Sequence, residues 1–117
     1  MPLLFCDASA LAKRYTEEIG SDTVHAIFGT VLVGSMVTTV WGYAETFSIL
    51  LRGWNGGRID HSAFTAATAL LQREVVNSGD FGFLDVDEAA VFASLPLMQR
   101  HSLNATDAAL LAAIPFK

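Results

Sequence analysis

The stretch Leu3-Leu4-Phe5-Cys6-Asp7-Ala8-Ser9-Ala10-Leu11-Ala12-Lys13-Arg14-Tyr15 decides how the chain is read. Residues 2–6 form a short, continuous apolar run of strand length, after which Leu11, Tyr15 and Ile19 follow at helical spacing. Asp7 stands at the junction. A carboxylate there serves the following helix as an N-cap by accepting a backbone N–H, and it also lies at the carboxyl end of a strand, where open parallel sheets bind ligands. The sequence leaves these two roles open.

Working outward, Gly20-Ser21-Asp22 is turn sequence, with Ser21 or Asp22 placed to cap a short helix through Val24, Ile27 and Phe28. Residues 31–40 are rich in β-branched side chains and predict a buried strand over 35–39. Residues 41–54 predict a helix with Phe47, Leu50, Leu51 and Trp54 on one side, stopped by Asn55-Gly56-Gly57. Asp60 or Ser62 is placed to cap a further helix through Phe64, Leu70, Leu71 and Val75. Residues 81–86 predict a third strand, and Asp87 caps a helix in which Pro96 predicts a kink or an early stop. A last helix is expected over 105–114. Strands separated by helices, without repeats, argue for an α/β fold with a parallel sheet in a single domain spanning residues 1–117.

Composition narrows the function classes. Hydrophobic residues make up 52% of the 117 residues and charged residues 16%, so the chain is too apolar to remain disordered. The net charge of −5 has the wrong sign for gripping a polyanion through a broad basic face, so a nucleic acid would be held locally or through metal. A single cysteine permits no internal disulfide, and no secretory leader opens the chain; both point to a reduced, cytoplasmic setting. Residues 26–44 carry no charge over a length that raises a transmembrane question, but glycines, Ser35 and threonines interrupt the run. G-x-S-x-G, P-loop, G-x-G-x-x-G and H-E-x-x-H motifs are all absent. His25, His61 and His101 are scattered and receive no role.

Carboxylates in apolar company remain. Beside Asp7, Glu45 lies in a helix with Trp41 and Ile49 one turn away, which points its carboxylate toward a partly buried face; the competing reading is an exposed glutamate near Arg52. Asp107 lies in the first turn of the last helix, where the helix dipole favours negative charge for structural reasons alone. Asp85 and Asp87 form a weaker rival, explained by loop and cap. Carboxylates from three segments, brought together, would suit hard divalent ions such as Mg²⁺ or Mn²⁺.

This arrangement resembles the PIN domain, and within it the VapC-like ribonuclease toxins of toxin–antitoxin pairs. The opening apolar strand followed by D-x-S-A-L-x-K is the most specific match. Ala44-Glu45-Thr46-Phe47 after a threonine-rich strand, and Asn104-Ala105-Thr106-Asp107 before an alanine-rich helix, resemble the second and third acidic positions. The resemblance implies a three-layer fold with a short central parallel sheet flanked by helices. It also implies a metal-dependent endoribonuclease with Asp7, Glu45 and Asp107 as Mg²⁺ or Mn²⁺ ligands and Ser9 orienting Asp7 or the attacking water. Lys13, Arg14 and Arg52 are candidate RNA contacts. The implied partners are RNA, a cognate antitoxin and a second copy in a homodimer. Where the family continues with another strand and a fourth aspartate, this chain stops at Ile114-Pro115-Phe116-Lys117, so a C-terminally truncated form is expected. Its alternative function is an inactive PIN-fold protein that acts by dimerisation or antitoxin binding.

Overall fold

The computed structural model describes residues 4–31 and 33–101. Two compact units divide the chain, Met1–Phe83 and Leu84–Lys117. The first opens with strand β1 (Leu4–Phe5) and passes through Asp7 into helix α1 (Ala8–Tyr15). Helix α2 (Ser21–Thr30) follows, then a 3-10 turn (Val33–Ser35), strand β2 (Met36–Thr38) and helix α3 (Val40–Asn55). Helix α4 (His61–Leu71) runs on as a π-helical turn (Gln72–Asn77) before strand β3 (Gly82–Phe83). The sheet order is β1-β2-β3, parallel throughout, in the registers Leu4↔Met36 and Val37↔Gly82. Helices on the sheet bury Cys6, Leu11, Met36, Leu50, Leu71, Val75 and Phe81 in one core. The mixed α/β architecture with a short parallel sheet agrees with the sequence reading.

Local details differ where backbone chemistry overrides pattern. The cap of α2 is Gly20, in the left-handed region at φ 97°, rather than Ser21 or Asp22. The Ser21 hydroxyl is spent closing the preceding loop, donating to the Thr16 carbonyl and accepting from the Glu18 N–H, each at 2.9 Å. Asp60 caps α4 as expected, accepting the Ala63 N–H at 2.7 Å. The third strand is shorter than its apolar run. The uncharged stretch 26–44 is divided among α2, β2 and α3, and no helix among the described residues is long and apolar enough to cross a membrane.

In the second unit, helix α5 (Glu88–His101) starts from Asp87, whose Oδ1 accepts the Ala90 N–H at 2.8 Å. It continues through Pro96 instead of stopping there. Proline deletes one backbone hydrogen bond, and the helix-forming residues on both sides carry the helix past it. Asn104, Asp107 and the expected last helix lie outside the described residues.

Candidate active site

Asp7 follows the carboxyl end of β1, is exposed, and accepts the Ala10 N–H on Oδ1 at 2.8 Å. It forms no ion pair among the described residues, and only one of its carboxylate oxygens is used by the cap. Capping and a ligand role are therefore compatible, because the cap bond fixes the carboxylate and leaves the other oxygen available.

Beside it, β2 leads into α3 through two threonines. The buried Thr38 donates from Oγ1 to the carbonyl of Cys6, the residue before Asp7, at 2.9 Å. Thr39 caps α3 by accepting the Gly42 N–H at 2.7 Å, and Thr46 donates back to the Gly42 carbonyl at 2.8 Å. A Cβ at Gly42 would lie 2.7 Å from Thr38 Oγ1, so the close approach of α3 to the strand ends requires glycine. These bonds join the backbone that carries Asp7 to the helix that carries Glu45. The sequence reading missed this ladder of hydroxyls.

The face of α3 buried against the core is Gly42, Thr46, Leu50 and Gly53. The sequence pattern predicts a stripe of Phe47, Leu50, Leu51 and Trp54, and for Glu45 it leaves open a partly buried face with Trp41 or an exposed position near Arg52. Leu50 of that stripe is fully buried, but small residues make up the rest of the packed side, because they allow close approach, and Glu45 and Trp41 are both exposed. Glu45 makes no hydrogen bond or ion pair among the described residues, and Arg52 donates to Ser48 Oγ at 2.9 Å rather than to Glu45. Phe47 and Trp54 turn toward α4, with ring centroids 5.7 and 4.8 Å from Phe64.

The remaining candidates have distinct surroundings. Ser9 is exposed in the first turn of α1, and its hydroxyl bonds no described residue. Lys13 pairs with Glu18 at 2.9 Å. Arg14 is engaged on several sides: it binds both oxygens of Glu74 at 3.4 and 3.1 Å, bonds His25 Nδ1 at 3.0 Å and lies 4.5 Å from the centre of the Phe28 ring. Arginine only donates, so His25 Nδ1 accepts and its Nε2–H faces Glu17, an assignment made from the bonding pattern. Arg14 thus braces α1 against α2 and the π turn.

Burial, reinforced by the negative charge of Asp7, pushes the Cys6 thiol up from 9.0 to about 11. Burial and the Glu74 carboxylate likewise push the Tyr15 phenol up, although its buried hydroxyl has no partner of hydrogen-bond geometry. The protonated thiol at neutral pH is a poor nucleophile and a poor ligand. Because the raised value belongs to the folded state, the stabilising contribution is intact below 9.0 and is lost as pH rises toward about 11. Urea midpoints should therefore fall across that window, and Cys6→Ala should flatten part of the fall. A flat wild-type profile would mean that the thiol ionises as freely in the folded chain as in the unfolded one.

Asp7 and Glu45 supply hard oxygen donors that no described cation neutralises, the donor chemistry Mg²⁺ and Mn²⁺ take. No group of three ligating side chains stands together among the described residues, and Asp107 lies outside them. The donor chemistry of Asp7, after β1, and of Glu45, within α3, fits such an ion.

No protein-family model matches the sequence, and no curated protein matches it. Among solved structures, the chain is similar to VapC20 of Mycobacterium tuberculosis, a sarcin–ricin loop cleaving toxin. The TM-score is 0.67 at 20% identity, and the match covers 93% of this chain and 78% of that one. With its parallel β1-β2-β3 sheet and flanking helices, the chain therefore has the PIN-like α/β fold of a VapC toxin.

Proposed function

We propose that the chain is a metal-dependent endoribonuclease, the toxin of a toxin–antitoxin pair, acting on RNA phosphodiester bonds in the cytoplasm. The observation that carries this reading is a pair of exposed carboxylates that no described cation neutralises, Asp7 directly after β1 and Glu45 in the helix that follows the adjacent parallel strand β2. The fold shared with a toxin that cleaves the sarcin–ricin loop supports it.

In this reading Asp7, Glu45 and Asp107 hold Mg²⁺ or Mn²⁺, and Ser9 orients Asp7 or the attacking water. Such an ion, when bound, supplies an activated water and offsets charge developing on the phosphate. The chain's own part is to orient Asp7 through the Ala10 N–H, and to hold α3 against the strand ends through Thr38 and Gly42. Lys13, Arg14 and Arg52 are the proposed RNA contacts, with Arg52 the best placed because it has no carboxylate partner among the described residues. A cognate antitoxin and a second copy of the chain are the proposed protein partners.

A second reading, an inactive PIN-fold protein acting through dimerisation or antitoxin binding, draws on the exposed Val40, Phe47 and Trp54 of α3. Cleavage of a mixed RNA pool in Mn²⁺, in Mg²⁺ and in EDTA separates the two. Cleavage in either ion and none in EDTA is expected. A folded protein inert in both ions would leave the binding role.

A further inference from the structure

Trp41, Glu45, Ser48 and Arg52 follow one another at spacings of four, three and four residues, which puts them on a single line along α3. The indole of Trp41 is 67% exposed. The other rings of the helix each pack on a neighbour: Tyr43 on Phe83 at 6.4 Å, and Phe47 and Trp54 on Phe64. Trp41 alone among them meets no ring and makes no hydrogen bond among the described residues. At the other end of the line, Arg52 is steadied by Ser48 and lacks a carboxylate partner, whereas Lys13 and Arg14 are both paired. The line thus carries a free aromatic face, an unneutralised carboxylate and an unneutralised guanidinium, over about 16 Å of helix.

We propose that this line is the track of one RNA single strand, with a nucleobase stacked on Trp41 and a phosphate held by Arg52 on either side of Glu45. The proposal rests on the ribonuclease reading and adds the residues that position its substrate. Aromatic faces stack any base, and a guanidinium pairs with phosphate, so the two groups bind a strand without reading its sequence. With a net charge of −5 the chain offers no broad basic face, so beside a metal ion a single cation and a free ring carry more weight than they would on a basic surface. An apolar protein partner would find its complement on the separate stripe of Val40, Phe47 and Trp54, which lies around the helix from this line.

The test is fluorescence anisotropy with a short labelled single-stranded RNA of mixed sequence in EDTA, run beside cleavage assays in Mn²⁺. Trp41→Leu keeps an apolar surface without the aromatic face and should weaken binding about tenfold, while Trp41→Phe should stay within about threefold. Arg52→Gln should reduce the salt dependence of binding by about one counterion. Under saturating RNA, Trp41→Leu should recover the wild-type cleavage rate, placing the loss in KM. Asp7→Asn should bind RNA without cleaving it; a wild-type protein that binds through Trp41 but cleaves in neither ion would refute the ribonuclease reading and leave the track standing. Wild-type binding by Trp41→Leu would overturn the track. So would a drop in its sedimentation coefficient, since Trp41 would then belong to a contact between copies.

Discussion

Gly42→Ala should lower the stability of the fold by about 2 kcal/mol, although alanine is the better helix former by about 1 kcal/mol. The sign is decided by the surroundings of the missing Cβ. It would sit 2.7 Å from Thr38 Oγ1 and 3.1 Å from Thr39 Oγ1, and the Thr38 hydroxyl is fully buried and already committed to the Cys6 carbonyl. Relieving the clash means turning Thr38 away, which leaves a buried carbonyl without its donor at a cost of about 1–3 kcal/mol, or moving α3 off the strand ends. Gly29, also within a helix, is the internal control, because nothing lies within 4 Å of a Cβ built there. Gly29→Ala should raise the melting temperature, and Gly42→Ala should lower it by roughly 8 °C. Equal melting temperatures for the two variants would mean that the threonines move aside without cost.

Asp7→Asn should reduce metal-dependent RNA cleavage by on the order of a hundredfold or more while leaving the melting temperature near wild type, since one preorganised charged group is commonly worth that much. Asparagine caps helices about as well as aspartate, so the bond to the Ala10 N–H survives and only the charge is removed. Asp7→Ala removes both and should cost about 1 kcal/mol of stability in addition. The pair of variants separates the two roles that the sequence leaves open for this residue. Cleavage at the wild-type rate by Asp7→Asn would remove Asp7 from the site.

The order of elements was legible because each rests on local chemistry. The apolar run before Asp7, the β-branched segment before Thr39 and the glycines after Asn55 all mark changes of backbone state that a sequence carries openly. Asp60 and Asp87 cap the helices assigned to them for the same reason. The orientation of α3 was only partly legible: Leu50 is buried as its apolar character suggests, but the rest of the packed side is Gly42, Thr46 and Gly53, residues that read as weak points in a helix until a neighbour is known to lie close. Of the two readings the sequence leaves open for Glu45, the exposed one holds, without the Arg52 partner. Arg14 shows the same limit in reverse. Nothing near it in sequence announces Glu74, sixty positions later, and the cation is occupied by contacts only the folded chain supplies.

The sheet registers also bear on the order of events as the chain folds. Leu4 pairs with Met36 and Val37 with Gly82, so neither ladder joins segments adjacent in sequence. Helices such as α1 and α3 close their hydrogen bonds over a few residues, whereas β1 has nothing to pair with until β2 arrives. Contacts of long sequence separation form late, because the entropy of the intervening loop must be lost first. The Thr38–Cys6 bond depends on that same meeting. The segment that presents Asp7 and the helix that carries Glu45 are therefore expected to be tied together through this bond only once the first strand docks.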